Sequence, residues 1–199
     1  MTRERHDALV LRHVDSGERD RVVTLYSREA GRLSAVTRGS RGSIRRGSVV
    51  DLFAHVDVEL TKGRGLPTIG EAESVDAHAL LRTDLTRYAI ASFVAELVLV
   101  TTAEGEPGGP QFDWVLATFG SLDASVSGER RDLLLGFQLG WFGLMGVLPT
   151  LDAAGLAEAE LPGLDEAALL VVPKLLRLGA ERVELEPGIA RALGETTRI

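Results

Sequence analysis

The stretch TRGSRGSIRRG, residues 37–47, carries Arg38, Arg41, Arg45 and Arg46 and no acid, in a 199-residue chain of formal charge −7. Guanidinium groups stay charged, donate in a planar fork and stack on bases, so this density is chemistry suited to phosphates and nucleic acid. Glycine and serine after every one or two arginines deny the stretch a regular helix or strand. What remains is an arm able to follow a phosphate backbone, not a fixed base-reading surface. The surrounding charge agrees. Residues 1–70 hold 13 Lys or Arg against 9 Asp or Glu, net +4, whereas 71–199 hold 9 against 20, net −11. A polyanion therefore meets the first third of the chain first, because neutralised phosphates release their counterions. Arg12, with Arg19 and Arg21, flanks the first turn, and Lys62 and Arg64 occupy a later one, so a barrel could gather several of them on one side. A solvated arginine-rich face is the plain alternative.

Other chemistry is sparse. There is no cysteine, which removes disulfides, thiolate zinc sites and cysteine nucleophiles together. His6, His13, His55 and His78 match no metal-ligand spacing. Glu71, Glu73 and Asp76 could hold a divalent ion, since 71 and 73 share a strand face, but solvated acids between two domains explain them as well. GRG at 63–65 lacks the third glycine and the strand-to-helix setting of a dinucleotide site, so it reads as a hairpin turn. No GxSxG or GxxxxGK[ST] occurs. We expect no catalytic residue, no metal and no cofactor. Tyr26 and Phe53 are the main aromatics of the first third, too few for strong stacking of single strands. Trp141 and Phe142 lie in an apolar helix and read as core or interface residues.

The elements that must position these residues change character near Asp76. Before it come ALVLRHV (8–14), RVVTLYS (21–27), LSAVTRG (33–39), VVDLFAHVDVEL (49–60) and LPTIGEAE (66–73), rich in β-formers at about period two. DSGERD, REAGR and TKGRG between them carry glycine beside polar residues, as tight antiparallel turns require. Five short strands, the fourth long enough to bend around a corner, predict a closed barrel of the oligonucleotide-binding (OB) type. An open sheet and an SH3-like barrel satisfy the same pattern. After Asp76 the apolar spacing becomes three to four, predicting helices over 84–105, 110–122 and 128–149 that pack as a second core. Leu85, Tyr88, Ile90, Ala91, Val94, Leu97 and Val98 form the expected buried side of the first helix. Pro173 interrupts a later helical pattern and predicts a kink or two short pieces there. The fold expected is α+β: a five-stranded OB-fold barrel over 1–76, then an all-helical domain over 77–199 with a shortened closing part over 150–199.

The runs ALVLRHVDSGERDRVVTLYSREAGRLSAVTRGSR and RRGSVVDLFAHVDVELTKGRGLPTIGEAE strongly resemble the amino-terminal domain of the RecO family of recombination mediators. The DSGERD turn, the YSREAGRLSAVTRGSR block and GRGLPTIGEAE are the most telling. The helices from RYAIASFVAELV to GFQLGWFGLMGVLP look like the family's helical domain, so the resemblance reaches about residue 150. It implies no catalytic turnover. It implies binding to single- and double-stranded DNA, strand annealing, engagement of the tail of single-strand-binding protein, and action with RecR to load RecA. The family's basic barrel loop matches Arg38, Arg41, Arg45 and Arg46. The tail is acidic with a hydrophobic end, so its site needs a basic group beside an apolar groove, for which Arg130 and Arg131 are the candidates. Many family members carry a four-cysteine zinc module after the segment here reading MGVLPTLDAAG; this cysteine-free chain does not.

Three functions are therefore weighed: a non-catalytic DNA-binding mediator in DNA repair, an OB-fold adaptor for proteins without meaningful DNA affinity, and a metal-dependent nucleic-acid hydrolase built on the acidic triplet. The amino terminus, MTRERHD, lacks the apolar core of a secretory signal, and no run approaches the roughly 18 apolar residues of a membrane span. The expected location is cytoplasmic, at the nucleoid, with no membrane association.

Overall fold

The computed structural model describes residues 2–39 and 49–147. Arg41, Arg45, Arg46 and the closing part over 150–199 lie outside the described residues. The chain divides into two compact units, Met1–Phe112 and Asp113–Ile199.

The first unit contains the five strands. β1 (Arg3–Ser16), β2 (Asp20–Ser27), β3 (Gly31–Thr37), β4 (His55–Thr61) and β5 (Thr68–Asp76) close into a barrel in the order β1-β2-β3-β5-β4. Alternation is cleanest in β4, where Val56, Val58 and Leu60 point inward between half-buried neighbours. With Ala8, Val10, Val23, Leu25 and Ala35 they fill the barrel, each buried Val or Leu contributing about 1.5–3 kcal/mol. The OB-fold barrel expected from the sequence is present.

The corner is turned by a different strand from the one expected. The run 49–60 becomes strand only from His55, because Phe53 takes φ 66°, a left-handed conformation incompatible with extension. Its N–H donates to Val10 O at 2.8 Å, and Ala54 O accepts from Val10 N–H at 3.0 Å. β1 is instead the long strand, 14 residues, pairing with β4 through its first half and with β2 through its second. A bulge between Val10 and Arg12 separates the two registers and supplies the bend.

Helices follow β5. α1 (Leu80–Thr83) is a single turn and α2 (Leu85–Thr101) is capped by Asp84, whose carboxylate accepts from Arg87 N–H at 3.0 Å. At its far end Thr101 and Thr102 donate their hydroxyls to Leu97 O and Val98 O. The glycine-rich stretch after α2 lies across the β2–β3 turn, with Gly105 N–H on Arg32 O and Gly108 N–H on Arg28 O. α3 (Gly109–Ala124) and α4 (Arg130–Leu144) complete the described helices. In the second unit Trp114 Nε1–H donates to Phe137 O at 3.2 Å, and the rings of Phe137 and Trp141 stack at 5.7 Å. Trp141 is fully buried, as its apolar helical setting predicted.

Candidate nucleic-acid interface

The bulge at Leu11 decides where Arg12 points. Without the extra residue, Arg12 would continue the inward series Ala8, Val10. With it, Arg12 faces Thr24 of β2 and His13 faces the core residue Val23. Thr24 in turn faces Ser34 of β3, so Arg12, Thr24 and Ser34 form a polar row on the outside of β1, β2 and β3. The next row is Val14, Val22 and Val36, with Val14 exposed.

Arg38 follows the last residue of β3 and is exposed. Its neighbour Gly39 donates its N–H to Asp20 Oδ1 at 3.0 Å, which ties the last described residue before the arginine-rich stretch to the start of β2, beside the β1–β2 turn that carries Arg19. Arg64 lies in the β4–β5 connection, whose Pro67 O accepts from Val36 N–H at 2.8 Å. Because Val36 and Thr68 pair in parallel, Arg38 and Arg64 leave this seam in opposite directions. At ~3.3 Å per residue they are separated by no more than about 20 Å along the strands.

The barrel's cations divide into two groups. Lys62 is paired with Glu4 at 2.7 Å, Arg5 with Asp57 at 2.7 Å, Arg21 with Asp15 at 3.1 Å and Arg28 with Asp7 at 3.0 Å. Lys62 lowers the Glu4 carboxyl below its usual range, and Asp57 raises the Arg5 guanidinium. By contrast, no carboxylate among the described residues comes within ion-pair distance of Arg12, Arg19, Arg38 or Arg64. All four are exposed.

The residues that follow the arginine-rich stretch are clamped. Asp51 accepts from Arg82 Nε at 3.3 Å, Leu52 O accepts from Arg82 Nη1 at 2.6 Å, and Phe53 O accepts from His78 Nδ1–H at 2.9 Å. His78 also lies in the left-handed region, at φ 40°, and its own N–H donates to Asp76 Oδ1. The histidines thus hold structure together. His13 Nε2–H donates to Val50 O at 2.9 Å, His6 contacts Ser27 at 3.1 Å, and His55 is bonded to Asp7. Burial first, then Arg21, lowers the pKa of His13 below its ordinary value.

Neither aromatic of the barrel strands and loops offers a stacking face. Tyr26 is 2% exposed, its phenol pushed up to about 12 by burial, and Phe53 is as deeply covered. Tyr88, expected on the buried side of the first helix, is instead 42% exposed, and Leu85 more so. The helix is apolar on nearly every side, so its spacing alone does not reveal which side meets the barrel. Of the acidic triplet, Glu73 lies 3.9 Å from Arg5 and Asp76 caps His78. Among the described residues no three potential ligands gather in metal-binding geometry.

In the second unit Arg130 opens α4 and is 9% exposed. Arg131 is exposed, with the exposed Leu135 one helical turn further on. No described helix is long and apolar enough to cross a membrane.

A five-stranded closed barrel in this strand order, followed by helices, defines an OB-fold protein. Residues 1–78 match the family model for the recombination protein O N terminal, and 82–164 match that for its C terminal. The chain belongs to the RecO family, whose members are DNA repair proteins and not catalytic enzymes. It is 37% identical over 158 residues to the DNA repair protein RecO of Pelotomaculum thermopropionicum, covering 79% of this chain and 60% of that protein. The RecO of Anaeromyxobacter dehalogenans strain 2CP-C is 38% identical over 156 residues, 77% and 61% of the two chains. That of Pelobacter propionicus is 33% identical over 171 residues, 84% and 68%. The chain thus spans about three fifths of the length of the first two of these relatives.

Proposed function

We propose that this chain acts in DNA repair and recombination as a non-catalytic mediator that binds and anneals DNA and helps load recombinase onto strands coated with single-strand-binding protein. The barrel, over 1–76, grips phosphates. The part from 77 to 199 engages the acidic tail of single-strand-binding protein, and RecR and RecA are the further partners.

The observation that carries this reading is the division of charge on the barrel. An exposed arginine already paired with a carboxylate gains little from a phosphate, whereas an unpaired one exchanges only water and counterions. Among the described residues Arg12, Arg19, Arg38 and Arg64 have no carboxylate partner, in the chain of a family of DNA repair proteins. In the sequence Arg41, Arg45 and Arg46 follow Arg38 and add to the same charge.

Replacing Arg38, Arg41, Arg45 and Arg46 by alanine is expected to weaken binding to all sequences alike. It should also flatten the salt dependence, by up to about 3 in the slope of log K against log salt for a single strand. Salt-titrated anisotropy with fluorescent single-stranded DNA measures both, and an unchanged slope removes this loop from the interface. The burial of Tyr26 and Phe53 favours a second reading, an OB-fold adaptor for proteins without meaningful DNA affinity. The same titration decides it, because an adaptor binds the oligonucleotide no better at low salt than any acidic protein does.

A further inference from the structure

Between the outer side of β1 and helix α2 the first unit contains a groove of about 450 Å³, within the ~300–1,000 Å³ common for small-ligand sites. Its walls include Leu11, Leu52, Tyr88 and Leu99, and Arg12 and Glu96 also line it. The Phe53 ring meets Tyr88 edge-on at 5.7 Å between centroids, holding the phenol ring in place while 42% of the residue stays open. Arg12 belongs both to this groove and to the polar row with Thr24 and Ser34. The groove therefore continues the outer face of β1–β2–β3.

We propose that this groove is a nucleobase subsite, taking one unstacked base of a single strand whose phosphates lie on the barrel, with Tyr88 as the stacking surface, Arg12 at the adjoining phosphate and Glu96 as the acceptor for base amino groups. It rests on the DNA-binding reading above. The combination selects a nucleotide over the alternatives. An aromatic face beside a guanidinium is the arrangement that holds unstacked bases. A carboxylate in the same groove repels an acidic peptide but accepts hydrogen bonds from a base such as cytosine, whose exocyclic N4 amino group is a donor. Thymine presents the O4 acceptor at that position, so Glu96 discriminates between the two pyrimidines.

The test uses the full chain and three strands of equal length: oligo(dC), oligo(dT) and a fully abasic strand. We expect the wild-type chain to bind oligo(dC) about tenfold more tightly than oligo(dT), the scale of one matched base contact. The abasic strand is expected to bind about tenfold more weakly than oligo(dT), with the same salt slope, since only stacking is lost. Tyr88→Ala should reduce binding of both oligonucleotides by about the same factor but leave the abasic strand unaffected, because the two changes remove one contact. Glu96→Gln, at an exposed position, should abolish the preference for oligo(dC) and leave the salt slope unchanged. If Tyr88→Ala weakens the abasic strand as much as the others, its effect is structural and the subsite is overturned. If wild type binds all three strands alike with a steep salt slope, the subsite is overturned and the phosphate-gripping barrel stands. If no strand binds in a salt-dependent way, both readings fall together.

Discussion

His13 shows how a single residue can bind barrel stability to pH. Its Nε2–H is committed to Val50 O and its Nδ1 faces Arg21 at 3.4 Å, so an added proton meets a guanidinium where a lone pair is required. Burial, then Arg21, accordingly hold its pKa below the ordinary 6.5. The unfolded chain takes up a proton as pH falls below that value, while the folded chain resists it. The stability His13 contributes is therefore complete above pH 6.5 and lost as pH falls through its lowered folded pKa. His13→Gln retains an amide donor for Val50 O but does not titrate. It is expected to flatten the decline of the melting temperature between neutrality and about pH 5, and a decline equal to wild type would exclude His13 as the titrating group. The residue itself was visible in the sequence. Its lowered pKa was not, because the burial and the Arg21 guanidinium that cause it come from the packing of other elements.

At the scale of elements, the β2–β3 turn and the stretch after α2 form one packed unit. Gly31 has φ 61°, and a Cβ there would lie 1.7 Å from the Glu106 carbonyl oxygen, a backbone atom that cannot swing aside. Gly31→Ala is expected to cost about 2–4 kcal/mol, from the left-handed conformation and the displaced loop together. Urea unfolding measures this, and a loss under about 1 kcal/mol would show that the loop can move away cheaply. The sequence REAGR announced a turn, and the expected helices over 84–105 and 110–122 left a connection between them. That one packs against the other follows from a meeting of segments about 75 positions apart, which no local pattern encodes. The fourth strand illustrates the same limit. VVDLFAHVDVEL alternates well enough to read as one strand, yet Arg82 and His78 hold 51–53 in a different path.

Over the whole molecule, the two proposed tasks fall to two parts of opposite charge. The first unit carries the unpaired arginines, and the second carries Arg131 beside the exposed Leu135, a cation next to an apolar side chain of the kind an acidic tail with a hydrophobic end requires. Arg130, although adjacent in sequence, is turned into the unit and 9% exposed. Arg131→Ala is expected to weaken binding of such a tail peptide about fivefold to tenfold and to leave single-stranded DNA affinity within about twofold, since the two sites share no partner. Calorimetry with the peptide and anisotropy with DNA separate the two effects. Equal losses in both would join the tasks in one surface.

The sequence by itself determined the α+β order of elements, the five strands and the basic character of the first third, whereas the closure of the barrel came from the pairing of β3 with β5. The first three rest on period, turn chemistry and composition, which are local or additive. Tertiary structure decided which of the basic residues are available, because partners can be distant: Lys62 meets Glu4 across 58 positions and Arg5 meets Asp57 across 52. It also decided that a bulge turns Arg12 outward, and that Tyr88 opens onto a groove instead of closing the core. Both depend on how one element is laid on another, and that packing is fixed by surfaces which exist only once the chain has folded.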